Sequence, residues 1–133
     1  MTVRRLLSLL AVASTVPFGA AAQPVNLPGG KYESLGHYLV GSWKYVRAAT
    51  GNSVRLEFNR DHTCLVHTVT TKEHIYCRFG GIDGKVHLAY DRACMDDGRT
   101  CIDLNPPQIH PFVFVPVSAN LFMSGPDRVE RTK

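Results

Sequence analysis

Beyond residue 40 the chain alternates apolar and polar side chains with a period of two. Ser53–Phe58 sets Val54, Leu56 and Phe58 on one side and Arg55 and Glu57 on the other, which predicts a strand with one face in a core and one in water. Ser42–Ala48 likewise places Trp43, Tyr45 and, at its end, Arg47 on a shared side. Short runs of the same kind recur at Thr63–Val69, His74–Phe79, Lys85–Tyr90, Phe112–Val117, Asn120–Ser124 and Arg128–Arg131. Turn chemistry separates them at Asn59–His62, Gly80–Gly84, Asp96-Asp97-Gly98 and Ser124–Asp127. Ahead of them, Lys31–Val40 predicts one short helix, with Tyr32, Leu35 and Leu39 on a common face. About eight short strands joined by hairpin-length turns predict an all-β meander, and a sheet of that size removes its exposed edges by closing. The expected fold is a small up-and-down antiparallel β-barrel of about eight strands with a short N-terminal helix.

The first 22 residues follow a different pattern. Arg4 and Arg5 precede the apolar run Leu6–Val16, and Ala20-Ala21-Ala22 supplies small residues for cleavage. This predicts an export signal over 1–22, cut near Ala22, and a periplasmic or secreted protein. The run is too short to cross a bilayer, so no transmembrane anchor is expected in the mature chain. Residues 23–30, with Pro24, Pro28 and two glycines, read as a flexible lead-in, and 31–133 as a single domain. The formal net charge is +4, of which Arg4 and Arg5 contribute two, too balanced for a nucleic-acid partner. A monomer is expected.

Four cysteines in an exported domain this small predict two disulfides. With Thr70-Thr71 as a two-residue turn, Cys64 stands opposite Cys77 and His67 opposite His74. With Asp97-Gly98 as a turn, Cys94 stands opposite Cys101, and Asp-Gly is a strong hairpin signal. Opposed residues are close enough to bridge, which favours Cys64–Cys77 and Cys94–Cys101 among three connectivities. The competing reading is a Cys₂His₂ zinc site built from Cys64, His67, His74 and Cys77. In a regular hairpin, however, the cysteines and the histidines project from opposite faces, so the four cannot meet one ion. The pair His67 and His74 could still hold a transition metal or repel when protonated, but without a third ligand nearby a plain polar cross-strand pair is the stronger reading. No other metal site is expected. His37, His62, His87 and His110 are dispersed turn or surface positions.

Catalytic signatures are missing. There is no nucleophile elbow, phosphate loop, dinucleotide fingerprint or His-Glu-x-x-His helix, and paired cysteines are not nucleophiles. The expectation is a non-enzymatic protein without cofactors, with no catalytic residues.

Leu39-Val40-Gly41-Ser42-Trp43 resembles the Gly-x-Trp first-strand motif of lipocalin-like (calycin-type) barrels, preceded by a short helix as in that family. Leu56–Thr63 is similar to the second hairpin of short bacterial members, and Leu121-Phe122-Met123 with Arg128–Arg131 resembles their last strand with its terminal Arg. The chain is shorter than that family's usual, and its cysteine spacing is atypical. The resemblance implies binding of a small apolar or amphipathic ligand at the open barrel end. Inward candidates are Val54, Leu56, Phe58, Val86, Leu88, Tyr90, Phe112 and Phe114, each of which also fits a plain core position. Parity along the last strand points Arg131 inward with Val129, which places its guanidinium over Trp43 beside Gly41 and closes the barrel. The alternative is a terminal Arg in solvent. The interior is expected to be small and largely filled. A second functional reading is a protein inhibitor of a secreted hydrolase, of protease or lysozyme type, with residues 23–30 reaching into the target. A structural envelope module is a third.

Overall fold

The computed structural model describes residues 25–28, 30–82, 84–95 and 99–132. The export signal expected over 1–22, its cleavage point and the Asp96-Asp97-Gly98 turn lie outside the described residues. Among those described, the alternation becomes eleven strands and one helix: β1 (Val25–Leu27), β2 (Gly30–Tyr32), α1 (Leu35–Leu39), β3 (Gly41–Val46), β4 (Ser53–Phe58), β5 (Thr63–Thr68), β6 (Glu73–Ile82), β7 (Lys85–Cys94), β8 (Cys101–Pro111), β9 (Val115–Ser118), β10 (Leu121–Ser124) and β11 (Asp127–Arg131). β1 and β2 form a hairpin of their own, and the other nine make one antiparallel sheet in the order β8-β7-β6-β5-β4-β3-β11-β10-β9.

Alternation decides which side of this sheet is buried. Trp43, Val54, Leu56, Phe58, Val66, Phe79, Val86, Leu88, Phe122 and Val129 line the inner face and are almost wholly withdrawn from water. Removing a side chain of this size from water stabilises by roughly 1.5–3 kcal/mol. The aromatic members interlock edge to face, with ring centroids 4.7 Å apart for Trp43 and Phe122 and 5.0 Å apart for Phe58 and Phe79.

The helix is shorter than Lys31–Val40 because residues 30–32 pair with β1 instead. Ser34 opens it, its Oγ accepting from the His37 N–H at 3.1 Å. Buried Tyr38 and Leu39 cover one end of the sheet. The Trp43 indole N–H donates to the Leu39 carbonyl at 2.8 Å, locking α1 to β3.

The sheet does not close into the expected barrel. β11 pairs with β3, so the first and last long-range partners do meet, but the open seam falls between β8 and β9. Proline explains the seam, since Pro106, Pro107 and Pro111 in β8 and Pro116 in β9 have no N–H to donate across it. Residues 112–114, expected to belong to a strand over Phe112–Val117, are irregular instead. They turn Phe112 and Phe114 inward as a plug, with centroids 5.9 and 5.3 Å from Phe122. Within the expected lead-in, residues 25–27 are paired with 30–32.

The cysteine registers match the expectation. Cys64 faces Cys77 and Cys94 faces Cys101, both pairs are disulfide-bonded, and none of the four cysteines is free. No helix among the described residues is long and apolar enough to cross a membrane.

Candidate functional site

The two ends of the inner face differ in chemistry. At the helix end, the Arg131 guanidinium lies 4.1 Å over the Trp43 ring and donates to three backbone carbonyls: Val40 at 2.7 Å, Tyr38 at 3.0 Å and Ala119 at 3.1 Å. Gly41 makes this approach feasible. Its φ of +130° disfavours other residues, and a Cβ there would lie 2.5 Å from Arg131 Nη1. The Tyr38 hydroxyl points toward the carbonyls of Ser118 (2.6 Å) and Leu121 (3.0 Å). All three guanidinium nitrogens and the Tyr38 hydroxyl bond to backbone carbonyls, so this end is a structural clasp that joins β3 to β11.

The opposite end is less finished. β3 carries Trp43, Tyr45 and Arg47 on one parity, and Arg47, just past the strand, starts a turn in which its own backbone binds Asn52, Thr50 and Gly51. The Arg47 guanidinium reaches back to the Tyr45 hydroxyl at 3.4 Å. Tyr90 of β7 lies within electrostatic reach of both, and its ring lies 4.7 Å from that of His110 on β8. Burial pushes the Tyr90 phenol above its ordinary range, with Tyr45 adding to the effect and Arg47 opposing it. At neutral pH Tyr90 is therefore an O–H donor, not a base. The bond to Tyr45 raises the affinity of Arg47 for its proton. Among the described residues no carboxylate comes within 4.0 Å of that guanidinium.

The residues expected to bind a ligand divide accordingly. Val54, Leu56, Phe58, Val86 and Leu88 are buried core. Tyr90, Phe112 and Phe114 stay partly exposed while packing on that core, as do Tyr45 and Ile75. Phe112 and Phe114 belong to the helix end, where Phe114 stacks on Tyr38 with centroids 6.1 Å apart. Only Tyr90 reaches the polar group at the other end. Tyr45 and Arg47 were not among the expected site residues, although a signal was there: an arginine on the inward parity of a strand whose other members are aromatic. A depression of about 620 Å³ lies on the outer face, lined by Lys44, Val46, Arg55, Val69, Arg128 and Glu130 among others.

His67 and His74 also face outward, directly opposed, with rings stacked at 4.1 Å and 12°. Parallel rings at that spacing do not aim their nitrogens at a common ion, and no group of three or more metal-type ligands occurs among the described residues. Partial burial, His74 and Arg55 hold the His67 imidazole below its ordinary value of 6.5, with Glu57 opposing them. The unfolded chain therefore takes up this proton before the folded one does. The contribution of His67 is intact above about pH 6.5 and is lost as pH falls below it. Replacing His67 by Gln should reduce the drop in melting temperature between about pH 7.5 and pH 5.5, measured against the parent in the same buffers. An equal drop in both proteins would refute this.

No protein-family model matches this chain, and no curated protein or solved structure matches it either.

Proposed function

We propose that this is an exported, non-enzymatic, lipocalin-like binding protein for a small amphipathic ligand with an anionic head. The observation that carries the reading is the group formed by Arg47, Tyr45 and Tyr90 on the inner face, with partly exposed apolar surface behind it. A guanidinium bonded to the Tyr45 phenol, with no carboxylate of the described residues within 4.0 Å and Asp127, held by the Ala48 N–H, acting on it only from farther off, offers charge-assisted donors to an anion. The apolar part of the ligand would lie along Tyr90 and Ile75, which the fold leaves partly in water. These groups hold and orient an anion; with Tyr90 kept protonated, they supply no general base. The two disulfides fit an oxidising compartment, and the basic and apolar start of the chain supports export. The hydrolase-inhibitor reading has less support, because residues 25–27 of its reaching segment are held in a hairpin.

Calorimetric titration with dodecanoate, dodecan-1-ol and dodecylammonium tests this. Dodecanoate should bind best, and Arg47→Gln should weaken it about tenfold to a hundredfold while leaving dodecan-1-ol unchanged, as loss of one charged hydrogen-bond donor implies. Equal affinity for all three heads, or an unaffected Arg47→Gln variant, would overturn the proposal.

A further inference from the structure

The outer face carries a row of charges that an inner-face ligand would not touch. Successive strand pairings set Glu130, Lys44, Arg55, His67 and His74 side by side across β11, β3, β4, β5 and β6. Lys44 and Arg55 are direct cross-strand partners and both are exposed. Like charges so placed destabilise a sheet, whereas an acid at either position would stabilise it. Among the described residues neither cation has a carboxylate within 4.0 Å, and Glu130, across from Lys44, is instead 3.0 Å from Arg128. Lys44, Arg55, Arg128 and Glu130 all line the outer depression, three cations against one carboxylate, and apolar Val46 and Val69 form part of its wall.

We infer that this depression binds a phosphoryl-type dianion between Lys44 and Arg55. One dianion neutralises both facing cations, which a single carboxylate would leave half compensated. The planar Arg55 fork suits two oxygens of a tetrahedral group, and Lys44 adds a point charge on a third. Apolar walls beside the cations weaken screening by water and strengthen the attraction. The same chemistry is offered by a soluble phosphate ester and by a phosphomonoester lipid headgroup, so both are tested.

The probes are inorganic pyrophosphate, followed by calorimetry at low salt, and phosphatidylcholine vesicles with and without phosphatidic acid, followed by co-sedimentation. Binding should appear with at least one probe, and Lys44→Gln and Arg55→Gln should each weaken it at least tenfold. Pyrophosphate binding identifies a soluble ligand; binding confined to phosphatidic acid vesicles identifies a lipid. Lys85→Gln, an exposed lysine on β7, should change nothing. Arg55→Gln removes a like-charge contact, so its melting temperature should equal or exceed the parent's, and lost binding cannot then be assigned to unfolding. Arg47→Gln should retain full binding, which separates this site from the inner one. No binding of either probe, binding that survives Arg55→Gln, or an equal loss in Lys85→Gln would overturn the inference.

Discussion

Replacing Arg131 by Met should lower the stability of the protein by about 3 kcal/mol, although the residue stands near the C-terminus and is partly exposed. Its guanidinium donates to the carbonyls of Val40, Tyr38 and Ala119; one hydrogen bond to a charged group contributes roughly 1.5–3 kcal/mol net, and three made by one partly exposed guanidinium do not add. The contact with Trp43 at 4.1 Å adds about 0.5–2 kcal/mol. The loss falls at a joint between distant parts of the chain. β11 pairs with β3 through two residue pairs, Glu130 with Lys44 and Arg131 with Trp43, and α1 is held over that joint by the same guanidinium. Met keeps the apolar stem but no donor, so the variant isolates the hydrogen bonds and the charge. Lys restores the charge without the fork and should recover less than half the loss. Urea unfolding monitored by Trp43 fluorescence measures both variants. A loss below about 1 kcal/mol for Arg131→Met would show that the clasp does not hold the sheet together.

Removing the Cys64–Cys77 bridge by a double substitution to Ala should cost at least about 3 kcal/mol. Its 13-residue separation gives a loop-closure contribution near that value, and both cysteines are buried among Phe58, Val66 and Phe79, so lost packing adds to it. Removing Cys94–Cys101 should cost less, about 2 kcal/mol, because the separation is 7 and Cys101 is partly exposed beside the sheet edge. Closure and packing both make the first loss the larger, so the size of the difference, beyond the roughly 0.5 kcal/mol that loop length alone gives, measures the packing contribution. Thiol titration of the unfolded, unreduced parent should find no free cysteine.

The local half of this structure is legible in the sequence. Val54, Leu56 and Phe58 alternate with charged neighbours, and β4 is buried in that pattern. The two hairpin registers follow from turn position alone, which is why both disulfides and the opposed histidines can be read in advance. Parity along β11 also leads to Arg131 over Trp43. The seam is not legible, because closure depends on whether two distant edges present complementary N–H and C=O groups. β8 is hidden for the same reason: Asn105-Pro106-Pro107 argues against a strand unless that strand lies at an edge, where missing donors cost little. The electrostatic coupling of Tyr90 to Tyr45 and Arg47 joins β7 to β3, which are four strands apart in the sheet, a relation that no local pattern encodes.

The central claim is that the inner face, at the end away from α1, holds an anionic amphipath. Backbone amide shifts of the isotope-labelled protein titrated with dodecanoate test it most directly. The largest changes should fall on Tyr45, Arg47, Ile75 and Tyr90, with little at Trp43 or Arg131 and none at Lys44 beyond its direct neighbour's effect. Changes centred on Trp43 and Arg131, or spread evenly over the outer face, would contradict it.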